Sequence, residues 1–127
     1  MKVFRIAIPV SDISLSCEFY ERLLGVDADD TVPSRIYFHC EDVILAIIDR
    51  KVESLGPFHP TPEHLYLSTE NVEAAYERAK EAGALNMSVL ESQPWGERSF
   101  YCTDPDGNLL CIVADDTLFL GRGADWS

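Results

Sequence analysis

Basic residues are scarce in this chain. Lys and Arg number 10 against 22 Asp and Glu, the formal net charge is −12, and no run of Lys or Arg breaks the imbalance. An acidic chain repels phosphate backbones, which argues against nucleic acid as a partner and against an anionic membrane surface. Long apolar runs are missing as well. The longest, Val43 to Ile48, is far too short to cross a bilayer. The N-terminus lacks the charged region, apolar core and small-residue cleavage site of a signal peptide, which points to a cytoplasmic protein. The four cysteines, Cys17, Cys40, Cys102 and Cys111, form no CxxC pair, so neither a zinc knuckle nor a thioredoxin-like motif is expected. In a reducing cytoplasm they serve as small apolar side chains.

What is present is ordinary globular material. The chain has 127 residues, 46% apolar and 25% charged, enough for one domain that folds without a disulfide or metal. Val3 to Val10 reads as a buried strand, and Asp12 is placed to cap a helix over Ile13 to Leu24 that Gly25 ends. Arg35 to Cys40 and Val43 to Asp49 flank Glu41-Asp42 as a hairpin, with a weaker strand signal over Val26 to Val32. Arg50 to Pro62 carries Gly56, Pro57, Pro60 and Pro62 and reads as a linker. A strand over His64 to Ser68 follows, then Asn71 as a cap. Val72, Ala75, Ala79 and Ala82 form a helical stripe that Gly83 ends. Strands are expected near Asn86 to Glu91, Arg98 to Thr103 and Leu109 to Ala114. The turn Asp104-Pro105-Asp106-Gly107-Asn108 joins the last two.

The halves repeat one plan. A shift of 59 residues lays His64 on Arg5, Asn71 on Asp12 and Val72 on Ile13, so strand, cap and helix start coincide. The expected fold is α+β: two βαβββ modules forming one curved mixed sheet around a cup, helices outside. Module 1 takes residues 1–50, the linker 51–62, module 2 63–114 and a C-terminal tail 115–127, all within one domain.

These features resemble the vicinal oxygen chelate superfamily, which includes glyoxalase I, bleomycin-resistance proteins, fosfomycin-resistance thiol transferases and extradiol dioxygenases. The residues that carry the resemblance are Ile6 to Asp12, Phe19 to Gly25, Pro94 to Tyr101 and Asp104 to Leu110. The resemblance covers nearly the whole chain and speaks for the fold, not for one reaction. It implies a divalent metal on the cup floor, held by His, Gln or Glu at four positions. Those positions fall here on Arg5, Ala46, His64 and Cys111. Alanine cannot ligate, and a guanidinium has no lone pair to give and repels a cation. His64 and Cys111 alone make a poor site, so no metal and no cofactor are expected.

Strand alternation then fills the cup. Phe4, Ile6, Ile8 and Val10 face the helices, and Arg5, Ala7 and Pro9 face the cup. His64, Tyr66 and Ser68 do so from the next module, and Leu109, Cys111 and Val113 from the last strand. Trp95, Tyr101 and Phe58 are rim candidates. The candidate ligand-binding residues are therefore Arg5, His64, Tyr66, Trp95, Tyr101 and Cys111. Arg5 has three readings: paired with a protein carboxylate, open to an anionic ligand, or solvent-exposed through a shifted register. Two function classes follow. One is a metal-free protein that binds a small organic, anionic molecule. The other is a divergent lyase or dioxygenase. His64 is suited by residue type to acid–base work, and no spacing provides a base to activate Cys111. The resemblance also implies a homodimer, with Leu118-Phe119-Leu120 and Trp126 as apolar contact candidates.

Overall fold

Each half is organised by a helix that is capped at both ends. Helix α1 spans Ile13–Leu24; the Asp12 carboxylate accepts from the Leu15 amide, and Gly25, at φ +67°, closes the helix in the left-handed region. Helix α3 spans Val72–Ala82, with Asn71 accepting from the Ala74 amide and Gly83 at φ +88°. These two helices sit where the capping signals place them. The computed structural model describes residues 1–32, 34–53 and 59–120.

The strands are β1 (Arg5–Val10), β2 (Asp29–Val32), β3 (Arg35–Cys40), β4 (Val43–Asp49), β5 (Leu65–Thr69), β6 (Glu91–Ser92), β7 (Arg98–Thr103) and β8 (Leu109–Ala114). A short helix α2 (Arg50–Glu53) follows β4, within the expected linker. The α+β class and the two βαβββ modules match the expectation. Each module closes its own four-stranded sheet, ordered β1-β4-β3-β2 and β5-β8-β7-β6, instead of sharing one hydrogen-bonded sheet. The first strand of each module runs parallel to its last, β1 along β4 and β5 along β8.

One apolar cluster draws on both modules. Phe19, Tyr20 and Leu23 of α1 and Ala75 and Ala79 of α3 pack on Ile8, Val10, Phe38, Phe100, Leu110 and Ile112. Burying each large side chain contributes about 1.5–3 kcal/mol. Of the residues expected on that side, Phe4, which precedes β1, is 55% exposed, and Ile6, although paired with Leu45, is 36% exposed. Among the described residues, no helix is long and apolar enough to cross a membrane.

The Asp104–Asn108 turn pins the modules together. The fully buried Asp104 carboxylate accepts from the Tyr20 hydroxyl at 2.7 Å and from the Asn108 side chain at 2.9 Å. It also accepts the backbone amides of Asp106 and Asn108. Asn108 donates to the Pro9 carbonyl at 2.9 Å, and Ser11 donates to Asp106 through both its amide and its hydroxyl. The C-terminal end of β1 therefore lies against the turn that opens β8. Because β5 runs parallel to β8, its start lies at that same end.

Candidate functional site

The open face of module 2 is a row of three strands. Cys111 in β8 is the register partner of Tyr66 on β5 and of Tyr101 on β7. His64 stands just before β5, its ring 5.1 Å from Tyr101 in an edge-on contact and 6.2 Å from Tyr66. Three rings thus gather over one thiol, as strand parity requires. Cys111 is only 1% exposed, and burial pushes its thiol up to about 11, although hydrogen bonds from Ser99 and Tyr101 pull the other way. Burial of this kind disfavours the thiolate that a nucleophile needs. Burial also raises Tyr101, with Cys111 adding to the shift.

Beside this row lies an open-sided cavity of about 560 Å³. Its floor includes Tyr66 and Ser68 of β5 and Val113 of β8, and its walls include Trp95 and the segment Leu118 to Leu120. Tyr66 belongs to both the ring cluster and the cavity, which joins four of the six candidates to Trp95. Glu97 was not singled out from the sequence. Its carboxylate accepts from the Trp95 indole at 2.8 Å and from the Phe119 amide at 2.9 Å. The signal available was its place two residues after an exposed tryptophan in a glycine turn.

Arg5 stands apart. It is exposed, and its guanidinium lies 5.1 Å from the Phe4 ring centre and 5.9 Å from that of Tyr37. Among the described residues it makes no ion pair. It occupies the far end of β1 from Pro9, about 13 Å of strand away. His64 lies at the near end, so one chain does not bring Arg5 and His64 together. Phe58 and Trp126 lie outside the described residues. His39 is exposed, with Nε2 3.5 Å from an Asp29 carboxylate oxygen.

The four positions to which the resemblance assigns metal ligands do not suit a divalent cation. Ala46 is buried and has no donor atom, Arg5 carries a positive charge, and only His64 and the buried Cys111 thiol remain as donors. Among the described residues no cluster of three or more His, Cys, Asp or Glu side chains is arranged to hold a metal.

A family model described as Glyoxalase/Bleomycin resistance protein/Dioxygenase superfamily matches residues 2–112. Uncharacterized proteins of Mycobacterium bovis and Mycobacterium tuberculosis are 40% identical over 48 residues, 38% of this chain. Those matches span only 32% and 28% of the two relatives. Among solved structures, a glyoxalase-related enzyme from Fulvimarina pelagi superposes with a TM-score of 0.79 at 22% identity, covering 96% of this chain and 94% of its own. An antibiotic binding protein from a Streptomyces species gives a TM-score of 0.71 at 26% identity, covering 90% and 95%. A lactoylglutathione lyase from Agrobacterium tumefaciens gives 0.71 at 19%, covering 91% and 94%.

Proposed function

The chain belongs to the Glyoxalase/Bleomycin resistance protein/Dioxygenase superfamily, and from that premise we propose that it binds a small organic molecule, anionic at one end, without a metal and without chemistry. The observation that carries the reading is the ring-lined face of module 2, with a cavity of about 560 Å³ beside it. That volume falls in the range of sites for small organic ligands. The poor donor set at Arg5, Ala46 and Cys111 argues for binding over metal-assisted catalysis. The likeness to an antibiotic binding protein, at 26% identity, supports the same direction.

In this reading Arg5 supplies the charge. Its planar fork suits a carboxylate or phosphate. Since β1 meets the start of β5 by its Pro9 end and Arg5 stands at its other end, Arg5 and His64 would reach one ligand when a second copy sets its module 1 face against the module 2 face. The protein is therefore proposed as a homodimer, which light scattering at tens of micromolar would reveal; a monomer would count against it. A thermal-shift screen of carboxylates and phosphates, followed by calorimetry on the best hit, tests the ligand class. Arg5→Met is expected to weaken binding about tenfold to a hundredfold. Equal binding by wild type and Arg5→Met removes Arg5 from the site. About one divalent metal per chain in elemental analysis would restore the lyase or dioxygenase reading.

A further inference from the structure

The turn before β7 and the segment after β8 are joined by hydrogen bonds from two neighbouring residues. Gln93 donates its amide to the Glu97 carbonyl and Gly96 donates to the Gln93 carbonyl, a tight turn with Trp95 at its tip. Gly96, at φ +100°, supplies the left-handed residue this turn needs. On the other side, Thr117 donates its hydroxyl to the Ala114 carbonyl at 2.8 Å and accepts the Arg98 amide at 3.1 Å. The chain then crosses beside the turn as Leu118, Phe119 and Leu120, which are 40%, 59% and 56% exposed. Three apolar side chains in a row at such exposure need a local restraint to hold one path. That restraint is Glu97: one carboxylate oxygen takes the Trp95 indole N–H and the other takes the Phe119 amide N–H.

We propose that Glu97 is a positioning residue that latches Trp95 and a C-terminal strap, residues 118–120, into the two walls of a seat for the flat, uncharged, apolar body of the ligand. The inference rests on the small-molecule reading above and adds which part of the ligand binds where. Among the described residues the lining has no cation, and Glu97 is the only charged residue in it. Both Glu97 oxygens already accept hydrogen bonds from the walls. The remaining surface is aromatic and aliphatic, with the Ser68 and Tyr66 hydroxyls as its polar handles. Such a seat gains from burying a ring and gains nothing from an anionic group. Releasing the latch frees both walls at once, because one carboxylate holds them.

The test uses two fluorescent probes with the same aromatic body, N-phenyl-1-naphthylamine and its sulfonate, 8-anilinonaphthalene-1-sulfonate, titrated into the full chain. Wild type is expected to bind the neutral probe, and Glu97→Ala to weaken it about tenfold, the size expected for losing a charge-assisted hydrogen bond. Glu97→Gln keeps one acceptor oxygen and should fall between the two. Trp95→Phe, which keeps a ring and loses the N–H, should do the same. In a Trp126→Phe background, Trp95 emission should shift red in Glu97→Ala while the thermal midpoint of unfolding holds. A purely structural role would move the midpoint and leave the emission of the folded protein alone. If Glu97→Ala does not fold, the intermediate losses in Glu97→Gln and Trp95→Phe carry the test.

The two readings fail separately. If Arg5→Met binds the sulfonate as wild type does, the anion reading fails and the latch stands on the neutral probe. If the latch variants bind the neutral probe as tightly as wild type, or wild type does not bind it, the latch proposal is wrong. It is also wrong if probe affinity falls with rising protein concentration as dimer forms, since the strap then belongs to a second copy.

Discussion

The open faces of the two modules share a backbone plan and differ in what they present. In module 1 the central row of register partners is Ala7, Ala46 and Tyr37; in module 2 it is Tyr66, Cys111 and Tyr101. One row carries two small side chains and one ring, with the exposed cation of Arg5 nearby. The other carries two rings and a buried thiol, extended by His64 and by a strap that walls a cavity. The strand skeleton is the same, so the difference in capacity comes from side-chain size in one row and from the chain that follows β8. In the proposed function, one face offers charge and the other offers shape.

Breaking the seam between the faces gives the largest expected effect. Asp104 accepts from Tyr20 of module 1 and from three groups of its own turn while fully buried. Asp104→Ala should cost about 3–5 kcal/mol in urea unfolding, since it orphans several buried donors. Tyr20→Phe removes one partner and should cost about 1–2 kcal/mol.

Copying the first face onto the second sharpens the contrast. Cys111→Ala gives module 2 the residue that module 1 has at Ala46. Folding raises the Cys111 thiol from 9.0 to about 11. Its contribution to stability is therefore complete below pH 9 and is lost as pH rises toward 11. The loss is on the order of 2 kcal/mol. Denaturation at pH 8 and at pH 11 should show wild type losing more than Cys111→Ala. Equal losses would mean that the thiol is not buried as described. Cys102, raised to about 12, should keep part of the slope in both proteins.

The helix caps test how alike the modules are. Asp12→Ala and Asn71→Ala each remove one side-chain cap and should cost about 1 kcal/mol, equal within error. The smallest effect is expected on the charged face. Arg5→Met should change stability by about 0.5 kcal/mol or less, as for an ordinary surface substitution, while weakening anion binding. A larger loss of stability would make Arg5 a structural residue.

The sequence was most legible where a local rule acts alone. The helices α1 and α3, the β3–β4 hairpin and the strands β7 and β8 have the bounds that capping, turn chemistry and alternation assign. The strand expected over Asn86 to Glu91 is reduced to Glu91–Ser92. Asn86 takes φ +53°, which breaks an extended run, and the Ser88 hydroxyl accepts the Tyr101 amide that a ladder would have used. Arg50 to Glu53 curl into a helical turn because the prolines that forbid regular structure begin only later.

At the site, alternation correctly put His64, Tyr66 and Cys111 on one face. It could not say how the modules lie against each other. That depends on the Asn108 bond to the Pro9 carbonyl, 99 residues away in sequence, which sets Arg5 and His64 at opposite ends. Glu97 escaped notice for a related reason. Its second partner, the Phe119 amide, is 22 residues away and carries no side-chain signal.

The central claim is that the rings of module 2 bind a small organic molecule without a metal. Calorimetry of the best thermal-shift hit, titrated into protein held in excess chelator, tests it most directly. The account predicts saturable binding in chelator, unchanged when zinc, nickel or manganese is added instead. Binding that appears only with an added divalent metal would contradict it.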